Sequence, residues 1–384
     1  MRSRPRKVTR RAFLKSTGLA GLGLVAAGCT VTVPSGGAPA PSSQESEESS
    51  LQGTTINYLG WEGYDYAGAL EPLTEPNSIT VNSTYGGNNE EIFSKLKAGS
   101  EGQYDVISIY HGNILALVQN DLIQPVETER LEHWDSIMDT FKSQPWQVID
   151  GKIYSVPFTW GNTPNVYNPE FVPSGIESWH DLKNPEFQDK IVILDNANQE
   201  IYVALNAIGV DITNLVTREQ LAEAVEWYKG VKAQARAIVP NYGEMADMMA
   251  REEAWLSGGA WAAIIGWVAE KGVTLEQVIP KEGTAGWCDN YCIPKGADLE
   301  AAYAFIDQMI SPDGQAELAV YLGQTMTSRE VIPLLPEELQ ATYDNIEEEL
   351  QITPFPPDPP QAPEDPNIAS NAEWLAAWEE IKVS

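Results

Sequence analysis

From Thr54 onward the chain alternates short apolar strands with amphipathic helices, a pattern that commits it to an α/β fold. Thr54-Thr55-Ile56-Asn57-Tyr58-Leu59, Ile79 to Tyr85 and Tyr104 to Ile109 read as strands, with a helix near Glu90 to Ala98. Ile191-Val192-Ile193-Leu194 and Ala260 to Gly266 read as later strands. Thr217-Arg218-Glu219-Gln220 forms a capping box for a helix with Leu221, Ala224, Val225 and Tyr228 on one face. Ser311-Pro312 opens another helix, which Gly323 can close. Pro354 to Pro366 reads as an extended arm before a last short helix around Ala372 to Lys382, and no internal repeat is visible.

The amino end carries an address rather than a fold. Arg10-Arg11-Ala12-Phe13-Leu14-Lys15 precedes an apolar run, Gly18 to Ala27, that is too short to span a bilayer as a helix, so residues 1–28 read as a twin-arginine export signal. Ala26-Ala27-Gly28-Cys29 resembles a bacterial lipobox with Ala26 where a Leu is usual, which marks Cys29 for lipid attachment. Residues 29–52, rich in Pro, Gly and Ser and nearly free of bulky apolar side chains, form a tether that cannot bury a core. The expected location is the periplasm or the outer face of the cytoplasmic membrane. The body from Gly53 to Ser384 is long enough for two lobes.

Charge narrows the partners. Residues 1–28 hold seven of the 24 basic residues and none of the 55 acidic ones, so the mature chain has 17 against 55, a net charge of −38. Nucleic acid is excluded as an expected partner. Such a surface enriches cations, although acids spread over solvated faces also serve solubility. Besides Cys29 the cysteines are Cys288 and Cys292. On an extended strand their sulfurs lie about 13 Å apart, beyond disulfide reach, and are expected as buried thiols. His111, His133 and His180 are too scattered to complete a zinc site, and no cofactor is expected.

Ligands of open α/β sheets bind beyond the carboxyl ends of the strands. There the chain places Trp61 and Tyr64, Tyr110 and His111, Asp195, Asn196 and Gln199, and Trp267. In Trp287-Cys288-Asp289-Asn290-Tyr291 the strand period of two puts Trp287, Asp289 and Tyr291 on one face, opposite the cysteines. Tyr64, Tyr110 and His111, taken singly, read as packing residues, and Trp61 is balanced between packing and binding. Trp287 with Asp289 points to binding, because a buried carboxylate beside an indole needs a partner, and an indole face attracts a cation by roughly 0.5–2 kcal/mol.

The body resembles the spermidine/putrescine-type periplasmic substrate-binding proteins of ABC importers almost end to end. The resemblance is carried, in order, by Leu59-Gly60-Trp61-Glu62-Gly63-Tyr64, Ser83-Thr84-Tyr85, Tyr104-Asp105-Val106-Ile107, Leu122-Ile123-Gln124, Tyr154-Ser155-Val156-Pro157-Phe158-Thr159-Trp160-Gly161, Ser178-Trp179-His180-Asp181-Leu182, Pro280-Lys281-Glu282-Gly283 and Trp287-x-Asp289. It implies a type II periplasmic-binding-protein fold of two α/β lobes, 53–159 with 288–335 and 160–287 with 336–384. Crossing strands near Thr159–Asn162 and Gly286–Asp289 would form the hinge. It implies a monomer that hands a solute to a membrane permease. Position by position, Trp61 and Tyr64 match cleft aromatics, Trp287 the stacking indole and Asp289 an amine-binding carboxylate. Tyr110 falls beside a pocket position, and Trp267 is preferred to Trp261 for the second-lobe indole.

One departure matters. Where the family places two amine-binding acids, this chain has Asn196 and Gln199, with Asp195 and Glu200 as neighbours. An amide holds a charged donor less strongly than a carboxylate does, so either a neighbouring acid substitutes or the ligand carries less charge. The expected function is capture of a polyamine or related amine. The alternatives are a non-amine solute such as a small sugar or organic acid, a surface hydrolase, and a sensor module. A G-x-S-x-G elbow, an H-E-x-x-H helix and a P-loop are all missing from the sequence, which argues against an enzyme.

Overall fold

The computed structural model describes residues 51–87, 89–99 and 101–384. The export signal, Cys29 and all of the tether before Leu51 lie outside the described residues. In chain order the strands are β1 (Thr55–Gly60), β2 (Thr80–Tyr85), β3 (Val106–Tyr110), β4 (Ile123–Gln124), β5 (Val148–Ile149), β6 (Lys152–Ile153) and β7 (Val156–Asn162). They continue with β8 (Asn165–Tyr167), β9 (Ile191–Leu194), β10 (Ala235–Val239), β11 (Leu256–Ser257), β12 (Glu276–Val278), β13 (Gly286–Pro294) and β14 (Thr325–Met326). One sheet has the order β14-β7-β13-β3-β1-β2 with β4 beside β13, and the other β10-β9-β11-β8-β12. β1 runs parallel to β2 and β3, whereas β13 lies antiparallel between β3 and β7.

Local chemistry sets the helix ends. α1 (Ala67–Asn77), α2 (Asn89–Ala98) and α3 (Ile114–Gln119) belong to the first half of the chain. α4 (Ala197–Ala207), α5 (Arg218–Lys232), α6 (Tyr242–Ala250) and α7 (Ile264–Ala269) flank the second sheet. Thr217 and Gln220 close the expected capping box on α5, which buries Leu221, Ala224, Val225 and Tyr228. After α8 (Leu299–Ile310), α9 (Pro312–Leu322) starts on the Ser311 cap with Pro312 in its first turn and ends at Gly323, whose φ of 63° suits a residue without a β-carbon. β9 is buried along its whole length because both faces of the second sheet are covered: Ile191 and Ile193 meet α4 and α5, and Val192 and Leu194 meet α6 and α7.

Two expectations are corrected. Ala260 to Gly266 is not a strand: β11 ends at Ser257, and α7 begins at Ile264. A short apolar run has no decisive period, and this one contains three alanines, which favour a helix. The segment 336–384 does not belong wholly with the second lobe. After α10 (Glu337–Gln340), Tyr343 and Ile346, the latter opening α11 (Ile346–Gln351), pack into the core around the first sheet. Ala369 and α12 (Asn371–Val383) join the second core, the helix through Trp374, Ala377, Trp378 and Ile381. Between them the Pro-rich arm runs across, with Thr284 and Gly286 N–H groups donating to the carbonyls of Ile352 (3.1 Å) and Pro354 (2.8 Å). The chain changes sheet at Thr163–Pro164 and again before Gly286, so Thr159–Asn162 and Gly286–Asp289 lie within the first sheet.

Candidate functional site

β13 organises the site because it is paired on both sides. Asp289 stands directly opposite Tyr110 of β3 and Thr159 of β7, so these three side chains share one face of the sheet. Trp287 shares that face two residues earlier and sits opposite Gly161. Its indole lies so close over Gly161 that a β-carbon there would collide with the ring, and its Nε1–H donates to the Asn162 carbonyl at 3.2 Å. The sequence period therefore gave the right face. Cys288 and Cys292 point the other way as buried free thiols, in agreement with the expectation from their spacing.

Tyr64 reaches the same face from the loop after β1. Its hydroxyl donates to Asp289 Oδ2 at 2.5 Å, its ring meets Phe158 edge-on at 4.9 Å, and its carbonyl accepts from the Tyr291 hydroxyl at 2.6 Å. Trp61 is half-buried against the first core, and its N–H donates to Ser108 Oγ at 3.3 Å. Asp289 is only 8% exposed, and burial pushes its carboxyl up to about 6 against the opposing pull of the Tyr64 hydrogen bond. Burial also pushes the Tyr110 phenol well up, helped by the negative charges of Asp358 and Asp289.

The second-lobe residues have other tasks. Asn196 caps α4, its Oδ1 accepting the Gln199 N–H at 3.0 Å. The Gln199 amide donates to the Gly259 carbonyl at 2.9 Å and accepts from the Tyr242 hydroxyl. Asp195 turns to α12, accepting from Trp378 Nε1 at 2.7 Å and pairing with Lys382 at 3.1 Å. Glu200 is fully buried, bonded to the Tyr228 hydroxyl, to Gln199 Nε2 at 3.1 Å and to the Leu194 N–H at 3.3 Å. Trp267 lies 40% exposed on α7, with its ring edge-on to Trp261 at 5.5 Å. Sequence reasoning did not single out Asp358 and Asn198, which meet at 3.2 Å beside Tyr110. Asp358 sits in an aperiodic Pro-rich segment whose course no local signal discloses.

Desolvation pushes the Glu200 carboxyl up to about 7 from an ordinary 4.5, and the hydrogen bonds around it only partly oppose this. The folded protein therefore binds this proton more tightly than the unfolded chain. The resulting stability, on the order of 3 kcal/mol, is fully present below about pH 4.5 and is lost as the pH rises through about 7. Asp289 acts in the same sense around pH 6. Calorimetry of the ligand-free protein should show a melting temperature that falls between pH 5 and pH 8. Glu200→Gln should flatten that slope; an equal slope in the variant would refute the assignment.

Sequence and fold comparisons identify the frame in which this site stands. The model of a family described as bacterial extracellular solute-binding protein matches residues 68–345. The chain belongs to this solute-binding family. It is 28% identical over 290 residues to the spermidine/putrescine-binding periplasmic protein of Salmonella typhimurium, covering 74% of this chain and 81% of that protein. It is 25% identical over 333 residues to a putrescine/agmatine-binding protein of Pseudomonas aeruginosa, covering 79% and 86%. The fold superimposes with a TM-score of 0.72 and 25% identity on the spermidine/putrescine ABC transporter substrate-binding protein PotD of Streptococcus pneumoniae, over 86% of this chain and 98% of that one. The Tp0655 lipoprotein of Treponema pallidum shares the fold at 19% identity, with a TM-score of 0.72 over 86% of this chain and the whole of that one. A protein of this family captures a solute rather than converting one, so the chain is not an enzyme. Among the described residues, no helix is long and apolar enough to cross a membrane.

Proposed function

We propose that this solute-binding protein is the lipid-tethered receptor of an ABC importer and that its ligand is a di- or polyamine of the putrescine/spermidine type. The observation that carries the reading is Asp289: a buried carboxylate, bonded to Tyr64, sharing a sheet face with Tyr110 and Trp287. An ammonium group placed there gains a charge-assisted hydrogen bond, and the aromatic rings cover the methylene chain. The names of the relatives support the same ligand class. Closure of the lobes about the crossings at Thr163–Pro164 and Pro280–Ala285 would bury the ligand before a permease receives it.

The test is a thermal-shift screen of the full-length protein against putrescine, spermidine, spermine, basic amino acids, choline, sugars and organic acids. A ligand at about 100 times its Kd stabilises the folded state by about 2.7 kcal/mol. A di- or triamine is expected to raise the melting temperature by several degrees; a shift with sugars or acids alone would overturn the amine reading. The tether reading rests on Cys29 in its lipobox-like setting. Palmitate labelling that is unchanged in Cys29→Ala would refute it.

A further inference from the structure

After Thr163–Pro164 and Pro280–Ala285 the chain passes between the lobes a third time, in the Pro-rich arm, and there it is held from both sides. The Ile352 and Pro354 carbonyls accept the Thr284 and Gly286 N–H groups at 3.1 and 2.8 Å, which seats the start of the arm along the second crossing. The Pro356 carbonyl accepts from Nε2 of His111, the residue that follows β3 in the first lobe, at 2.9 Å. The very next carbonyl, that of Pro357, accepts from the hydroxyl of Tyr202 on α4 in the second lobe at 2.6 Å. Adjacent peptide groups are therefore bonded to opposite lobes.

Little freedom lies between those two groups. Their planes meet at the Cα of Pro357, where only φ and ψ can turn one against the other. The proline ring fixes φ at about −65°, so ψ, rotation about the Cα–C bond, is the one soft torsion left. Both donors are themselves fixed. His111 is fully buried and can serve only one way round: its Nδ1 accepts the Cys288 N–H at 3.1 Å, so Nε2 carries the proton. Tyr202 is buried too, with its ring against Trp374 at 5.0 Å.

We propose that Pro357 is a one-torsion pivot at the third crossing and that Tyr202 is a positioning residue for binding, because its bond to the Pro357 carbonyl holds the ligand-free lobes within a narrow range of openings. Lobes with a restricted range lose less freedom when they close over a solute, so the pinned arm raises affinity. The effect needs no contact between these residues and the solute. The assignment rests on the lobe closure proposed above, and not on which solute the cleft takes.

The test is double electron–electron resonance on the full-length protein, with spin labels at Glu71→Cys on α1 and Glu219→Cys on α5, exposed positions of the two lobes. Cys29→Ser removes the competing thiol, and Cys288 and Cys292 are buried. Tyr202→Phe keeps the ring and loses the bond to Pro357, whereas Pro357→Gly keeps the carbonyl and frees φ. Each is expected to broaden the interlobe distance distribution of the ligand-free protein, to leave it unchanged at saturating putrescine, and to weaken putrescine binding about three- to tenfold. The double variant should open no further than Tyr202→Phe alone, because a broken pin leaves the pivot nothing to constrain; additive broadening would overturn the assignment. The ligand-free comparison reads the pivot even where putrescine is not the solute. Ligand-free distributions like the wild type's in both variants, with a wild-type distance that putrescine shortens, would overturn the pivot and leave closure standing. Broadening that persists at saturation would overturn it in favour of local loosening. A distance that neither bound putrescine nor any variant moves would overturn closure and pivot together.

Discussion

Asp289→Asn is expected to weaken diamine binding by at least about 100-fold while leaving the ligand-free protein as stable as the wild type, or more so. Truncating one partner of a buried hydrogen-bonded charge pair costs roughly 2–5 kcal/mol, and about 2.7 kcal/mol corresponds to 100-fold. Stability should not fall, because burial opposes the charged form of Asp289 and an Asn side chain can still accept the Tyr64 hydroxyl. The same pKa gives a second signature. Only the ionised carboxylate pairs with an ammonium, and with its carboxyl pushed up to about 6 roughly a tenth of Asp289 is ionised at pH 5. Wild-type affinity should therefore rise about tenfold between pH 5 and pH 7.5, and the Asn variant should lose that dependence. Titration calorimetry at the two pH values reads both effects; an Asn variant that binds like the wild type would remove Asp289 from the site.

What was legible in advance followed local rules, and what was not depended on distant partners. Trp287 and Asp289 were correctly placed on one face because a strand has period two and β13 is long enough to express it. Thr217 with Gln220, and Ser311 with Pro312, marked helix starts because a cap is satisfied within four residues. Ala260 to Gly266 reads as a strand because it is apolar without a decisive period, and the helix found there leaves the Trp267 indole 40% exposed. Gln199 could be read only as an amide of unknown direction: its bond to the Gly259 carbonyl, sixty residues away, is a tertiary fact. The arm was recognised as extended, but an extended segment has no face of its own, so neither the bond from Asn198 to Asp358 nor that from Tyr202 to Pro357 had a local signal.

The C-terminal helix offers the other large effect. α12 starts on Ser370, capped with Glu373, and puts Trp374, 1% exposed, against the Tyr202 ring at 5.0 Å. Trp374→Ala should cost about 3–5 kcal/mol in urea unfolding, the usual range for emptying a packed indole site. Among the described residues Trp374 Nε1 has no hydrogen-bond partner, so Trp374→Phe forfeits only packing and should cost clearly less. The damage should reach the arm as well, because the Tyr202 hydroxyl donates to the Pro357 carbonyl. A stability loss below about 1 kcal/mol would show that α12 is not an integral part of the second-lobe core.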